Sequence, residues 1–485
     1  MKKLFSLILM VVLVFALGAC GIFSNPEDDV SRDTFDISPP STTEVPPSTN
    51  NYNVSDHSDN NNETNIVHED VHVDTTEPVS LITQAQTISA GSNASFAIQA
   101  DGSLWAWGSN SSGQLGDGTT TDRHTPVQIM DNVVYVSSMG SRTMAIRTDG
   151  SLWAWGSNSD GLLGDGTTTN RHSPVRIMDD VASVSLGNLR TMAIKTDGSL
   201  YAWGRNSTRI GDNATGSAAG QLGDGTTIDY HSPVWILDRV ESIAMGRVHT
   251  LALRTDGTVW AWGNNNDSQL GNGTATDHRA PVVPARPVRI MDNVTHVFAA
   301  SLSSMAITTD GTLWVWGRNM GTAANSRTPT RKMDNVVYVS VGEVHATAIT
   351  TDNTLWAWGH NMSGHLGEGT STSRTTPVRI MDNVVYVSAG NARTTAITTD
   401  GVLWAWGANS QLVAGQLGDG TTTNRHSPVR IMNDVASISS GSHTLAITTD
   451  GGLWTWGNNG GGRLGDGTTT NRHRPIHIMD GILLP

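Results

Sequence analysis

From residue 81 onward the apolar positions fall in short runs of three to five, separated by Gly, Asp, Asn and Thr. Residues 143–156 show the unit. Met144-Ala145-Ile146 and Leu152-Trp153-Ala154-Trp155 flank Thr148-Asp149-Gly150-Ser151. Asp-Gly between two strand-like runs predicts a hairpin, and a two-residue turn there would hold both central residues at positive φ. On the second strand Trp153 and Trp155 share one face, Leu152 and Ala154 the other. Both faces are apolar, so the strand must be covered on both. No segment of helix length repeats its apolar positions every 3.6 residues.

The phrase Asp-Gly-x-Leu-Trp-Ala-Trp-Gly recurs eight times, beginning at Asp101, Asp149, Asp197, Asp256, Asp310, Asp352, Asp400 and Asp450. One copy carries Asp352-Asn353 in place of Asp-Gly. Of the 16 Trp residues, only Trp235 lies outside the phrase. Most copies continue into Leu-Gly-Asp-Gly-Thr, as at 115–119, and close on a Pro-led run such as Pro126-Val127-Gln128-Ile129-Met130. Several short strands per unit of about 50 residues predict small sheets fanned around an axis, each covering its neighbours. The expectation is an all-β propeller with Trp filling the wedge between blades. Eight blades are counted. The fifth copy lacks Leu-Gly-Asp-Gly after Gly317 and is the shortest, which leaves seven as the alternative.

These phrases resemble the regulator of chromosome condensation repeat family. The likeness rests on the Gly-x-x-His-Thr stretch (246–253, and 441–447 in shortened form), the Trp hairpin and the Gln-Leu-Gly-Asp-Gly loop (114–118, 221–225, 416–420). It covers about residues 85–485. The resemblance implies a propeller, usually of seven blades, so a count of eight departs from it. It also implies two functional readings: guanine-nucleotide exchange on a small GTPase, or proteinaceous inhibition of a secreted enzyme. No exchange-loop residue can be matched here.

The first 80 residues have a different pattern. Lys2 and Lys3 precede an apolar run from Leu4 to Leu17, ending in Leu17-Gly18-Ala19-Cys20. This reads as an export signal, too short for an ordinary span. It is similar to a bacterial lipoprotein signal, which implies lipidation of Cys20 and an outward-facing membrane anchor. Residues 21–80 carry thirteen acidic residues against one Arg and are rich in Ser, Thr, Asn and Pro. They read as a disordered, self-repelling tether. His57, His68 and His72 lie within it, but a disordered tract fixes no metal geometry. The expected organisation is 1–20 signal, 21–80 tether, 81–485 propeller.

Charge narrows the partners. The net charge is -14, and most of it belongs to the tether, so the array is nearly neutral and does not read as a nucleic-acid binder. A single Cys excludes an internal disulfide framework. No nucleophile elbow, phosphate loop or Ser-His-acid cluster stands out, so no catalytic role and no cofactor are expected. The loop acids Asp117, Asp165, Asp224, Asp419 and Asp466 offer one carboxylate each, which reads as turn chemistry and not as a calcium or other metal site. His249, His345 and His443 exchange with Arg142, Arg190 and Arg393 between copies, which suits a hydrogen-bonded structural position and not a catalytic one.

Two features are candidate binding elements. Arg123-His124, Arg171-His172, Arg425-His426 and Arg472-His473 precede the closing Pro, and Arg occurs near this place in seven copies. Such a ring would either meet an anionic partner or pair with the loop Asp. The copies also differ in length: the third inserts 206–220, including Asn206, Arg209 and Asn213, the fourth adds 280–286, and the seventh 410–415. Unequal loops on an equal scaffold are where a repeat protein acquires specificity. The expected protein is a monomeric, lipid-anchored, non-catalytic binding scaffold for a protein or an anionic cell-envelope polymer.

Overall fold

A computed structural model describes residues 86–485, except 208–219, 276–286, 319, 321–324, 391 and 411–414. The expected signal, Cys20 and the expected tether therefore lie outside the described residues. Within them the chain folds into eight four-stranded antiparallel sheets, each built from consecutive strands in sequence order. The sheets span 88–130, 133–178, 181–237, 240–291, 294–333, 336–381, 384–432 and 435–479, here called blades 1 to 8. The first strands line the ring's axis and touch those of neighbouring blades, and the eighth blade meets the first. The array is an eight-bladed propeller. The fifth copy forms a full blade, with its third and fourth strands at Leu313–Arg318 and Asn325–Met333.

The two-sided apolar strand explains the packing. In blade 1, Leu104 and Ala106 are buried in one cluster with Val133, Val136 and Trp155 of blade 2. Trp107, on the opposite face, is buried with Leu445, Ile447 and Leu453 of blade 8. The second Trp of each phrase is at most 2% exposed in all eight blades. Burying such a side chain is worth a few kcal/mol, repeated here at every joint.

The hairpin differs from the two-residue turn expected. Gln99 N–H donates to the Ser103 carbonyl and Gly102 N–H to the Gln99 carbonyl, enclosing a three-residue loop. Only the glycine takes positive φ, 81° at Gly102, while the Asp stays out of that region. The reason is local: the Asp101 carboxylate accepts the Ser103 N–H at 2.9 Å and closes the turn itself, so one left-handed residue suffices.

The ring closes through its last residues. The first strand of blade 1 is only Ile88–Ala90, against six or seven residues in other blades. Ile482 bridges Gln99, the place Val133 takes opposite Arg147 in blade 2. Ile482 N–H donates to the Gly451 carbonyl and Leu483 N–H to the Ile98 carbonyl, while Ile98 N–H donates to Thr87. One strand is thus completed by residues nearly 400 positions apart.

Candidate binding face

Topology gives the disc two unlike faces. One carries the Asp-Gly hairpins and the turns from each blade to the next, and here it is called the hairpin face. The other, the loop face, carries the connections from first to second strand and from third to fourth. The Leu-Gly-Asp-Gly loops and all three insertions lie between third and fourth strands and the Arg-His pairs open the fourth strands, so all belong to the loop face.

Each loop is organised by an Asn that sequence reasoning passed over. Asn110 is fully buried. Its amide donates to Asp117 Oδ1 at 2.9 Å and to the Thr119 carbonyl at 3.1 Å, and its Oδ1 accepts Leu115 N–H at 3.0 Å. Asn158, Asn206, Asn265, Asn361, Asn409 and Asn459 repeat the role, all fully buried. The available signal was Trp-Gly-x-Asn, present in every copy. Asp117 then accepts Thr119 N–H and its hydroxyl. Burial alone would raise this carboxyl, but hydrogen bonds from Thr119, Arg123 and Asn110 outweigh it and hold it below the usual range. Among the described residues no cluster of three or more His, Cys, Asp or Glu could hold a metal ion.

The Arg-His pairs stand at the start of the fourth strands of blades 1, 2, 7 and 8. Arg123 pairs with Asp117 at 2.7 Å, Arg171 with Asp165 at 2.5 Å, Arg425 with Asp419 at 2.6 Å and Arg472 with Asp466 at 2.6 Å. Arg374 pairs with Glu368 in blade 6. Each guanidinium in these five positions thus carries its own counter-ion. The adjacent His residues clamp neighbouring blades: Gly118 N–H donates to the His172 carbonyl, Gly369 to His426, Gly420 to His473 and Gly467 to His124. Asn206, proposed above for binding, spends its amide on its own loop, donating to Asp224 at 3.0 Å. Arg209 and Asn213 lie outside the described residues.

The loops also explain why Trp is required. Trp155 Nε1 donates 2.9 Å to the Gln114 carbonyl of blade 1, which also accepts the Thr143 hydroxyl. The same indole-to-carbonyl bond joins Trp107 to Arg463, Trp203 to Leu162, Trp316 to Gln269, Trp406 to His365 and Trp456 to Gln416. Gly116 lies flat on the Trp155 ring; a Cβ there would come within 2.7 Å of its indole nitrogen. Phe would fill the wedge but leave the carbonyl one donor short.

Nearer the axis, the exchanging Arg and His residues bridge blades. Arg190 Nη2 donates to the Gly246 and His249 carbonyls at 3.0 and 2.6 Å, and Arg142 Nη2 to the Gly187 carbonyl. His249 Nε2 meets Ser304 Oγ at 2.9 Å, His345 meets Thr394 at 2.8 Å and His443 meets Ser95 at 2.6 Å. Burial, with Arg190 adding repulsion, pushes His249 down to about 3. His345 and His443 are held well below the ordinary value by burial and then by neighbouring positive or titratable groups. These residues hold the ring together.

The chain is similar to known proteins over most of its length. Residues 211–482 match an RCC1-like domain, and 101–146 and 149–194 match the regulator of chromosome condensation (RCC1) repeat. The Ultraviolet-B receptor UVR8 of Arabidopsis thaliana is 34% identical over 117 residues, 22% of this chain and 26% of that protein. The X-linked retinitis pigmentosa GTPase regulator of Mus musculus is 36% identical over 106 residues, 21% of this chain and 10% of that protein. The chain thus spans at most about a quarter of these curated relatives. Among solved structures, Prp20p of Saccharomyces cerevisiae, described with its binding to Gsp1p and histones, aligns with TM-score 0.54 and 20% identity over 74% of this chain and 91% of that one. Human WBSCR16 aligns with TM-score 0.53 and 21% identity over 68% and 94%. At these identities the structural likeness speaks for the fold alone.

Proposed function

The chain belongs to the RCC1-like family, and from that premise we propose that it is an exported, non-catalytic scaffold that binds a macromolecular partner through its loop face. The observation that carries the reading is the inequality of the two faces. The copy-specific insertions 206–220, 280–286 and 410–415 all fall between third and fourth strands, whose joined ends lie at the loop face, whereas the hairpin-face turns are uniform in length. The chain also enters blade 1 at the hairpin face, ahead of Ile88. The paired state of Arg123, Arg171, Arg425 and Arg472 favours a protein surface over an anionic polymer, since the ring of guanidinium groups is largely neutralised by its own carboxylates.

The test compares the intact protein with a variant lacking 208–219 in capture from cell-surface extracts. The reading requires a partner that binds the intact protein and is lost with the insert while the unfolding midpoint is unchanged. Capture that survives deletion of all three inserts overturns it. Cys20→Ser should move the protein from the membrane to the soluble fraction. Family membership favours a second reading, regulation of a small GTPase, supported by the match to a GTPase regulator. Faster nucleotide release from a purified small GTPase on adding the protein would establish it.

A further inference from the structure

The two faces of the disc differ in charge as well as in loop length. On the hairpin face, the eight hairpin Asp residues from Asp101 to Asp450 are exposed. Hydrogen bonds from adjacent hydroxyl and backbone N–H groups hold every one of these carboxyls below the usual range, so the ring is ionised at neutral pH. Arg176, Arg289, Arg331 and Arg379 on that side pair with turn acids of their own, at 2.5 or 2.6 Å. The hairpin ring therefore keeps a negative excess.

The centre of the loop face is built in the opposite sense. Arg142, Arg190 and Arg393 open the second strands of blades 2, 3 and 7, and Arg463 lies in the loop of blade 8. All four are at most 9% exposed. Arg190 donates to Gln221 Oε1 at 3.2 Å and to the Arg247, Gly246 and His249 carbonyls. Arg463 Nε donates to the Gly460 carbonyl at 2.8 Å and its Nη1 to the Ser92 carbonyl at 3.0 Å. Arg142 Nη2 and Arg393 Nη2 donate to the Gly187 and Gly441 carbonyls. All these partners are neutral, and none of the four makes an ion pair among the described residues. Carbonyl dipoles soften a buried charge without cancelling it. Burial pushes Arg142, Arg190 and Arg393 down to about 10, which leaves each protonated at neutral pH.

The turns from first to second strand cover this inner ring. In all eight copies they hold two charged residues, Arg247 and Glu343, both exposed. Exposed Asn93 and Asn188 stand on the same set of turns. The loops beside them add Asp160 and Asp267, of which Asp160 attracts Arg142. The five Arg residues thus outnumber the carboxylates. Farther out the balance differs, because Arg123, Arg171, Arg374, Arg425 and Arg472 each have a carboxylate of their own.

We propose that the centre of the loop face receives an acidic element of the protein partner, a short run of Asp or Glu side chains seated over the turns at the axis. This rests on the loop-face reading above and deepens it. Arg247, Asn93 and Asn188 supply the direct donors. The buried guanidinium groups act through their field, which a low-dielectric surrounding carries to the surface. Because the outer Arg residues are neutralised, the positive charge is confined to the centre. A compact acidic run fits such a spot, whereas an extended polyanion finds no continuous track. The negative hairpin face repels the same element and so orients its approach.

The test titrates the intact protein with hexaglutamate by calorimetry, with hexalysine and heparin as controls. Hexaglutamate should bind, and raising the salt from about 0.05 to 0.3 M should weaken it severalfold. Hexalysine should not bind. Arg247→Gln removes an exposed charge and should weaken binding roughly threefold, while Glu343→Gln should tighten it by a similar factor. Arg463→Gln removes a buried charge and should also weaken binding. Gln114, Gln221, Gln269 and Gln416 fill the corresponding place in other blades, so that variant keeps the fold, as its unfolding midpoint will show. No binding of hexaglutamate, equal binding of hexalysine, binding of heparin alone, or unchanged affinity in both Arg variants overturns the assignment. Failure here is distinct from failure of the loop-face reading. A captured partner that needs the inserts, with no hexaglutamate binding, keeps that reading and removes the acidic element. Hexaglutamate bound at the centre, with capture indifferent to the inserts, keeps the centre and removes the role of the inserts.

Discussion

Between blades 1 and 2, the loop at 113–118 reaches over the second blade, and the Gln114 carbonyl takes bonds from Trp155 and Thr143. Between blades 5 and 6 the sequence carries no Leu-Gly-Asp-Gly phrase. There the third and fourth strands of blade 5 are paired out to Arg318 and Asn325. Lys332 sets its ammonium 5.6 Å from the Trp358 ring centroid and donates to the Thr375 carbonyl at 2.7 Å. The wedge between blades demands a large aromatic at both joints, but the indole N–H is used only where a loop supplies a carbonyl. The two joints also share a lack: near the axis they carry Ala94 and Ser303 where other blades have Arg or His.

That shared lack sets up the largest expected effect, which is acid opening of other joints. His249, His345 and His443 are neutral in the fold, and burial depresses their folded-state pKa from 6.5, to about 3 for His249. Protons bind the unfolded chain first, so stability falls as the pH drops from about 6.5 toward 3. Hydrogen exchange at decreasing pH should accelerate first at joints 4/5, 6/7 and 8/1, and not at 1/2 or 5/6. Replacing the three His residues with Gln should flatten the pH dependence of the thermal midpoint. Uniform acceleration around the ring would contradict this account.

Trp155→Ala should cost about 3–5 kcal/mol in urea unfolding, through loss of a buried aromatic and the void left behind. Asn110→Ala should cost about 2 kcal/mol, because buried loop donors and acceptors lose their common partner; blade 5 offers no described counterpart. Trp155→Phe should cost about 1 kcal/mol and Trp358→Phe less, since only the first breaks an indole-to-carbonyl bond. Equal costs for the two Phe variants would remove the distinction between the joints. Lys332→Ala should lose roughly 0.5–1 kcal/mol of the cation–aromatic contact, read as a small midpoint shift at joint 5/6.

The architecture was legible because one phrase recurs with both strand faces apolar, and a sheet with two greasy faces has few solutions. The exchange of His249 for Arg142 correctly pointed to a structural position. Other features were hidden for physical reasons. Asn110 was invisible because Asn in a Gly-rich stretch reads as turn composition, and only its burial reveals the hub. The Arg123 ring could be read two ways, since sequence does not show that Asp117 lies 2.7 Å away. The hairpin turn was misjudged because the Asp side chain, and not its backbone, closes the loop.

Because Ile482 and Leu483 finish a strand begun at Thr87, the ring has a seam that stays open until these two distant segments meet. A nascent chain holding all eight hairpins still exposes the edge of its first blade and the apolar flank of its last. The clasp therefore ties closure of the whole ring to one pairing between residues nearly 400 positions apart.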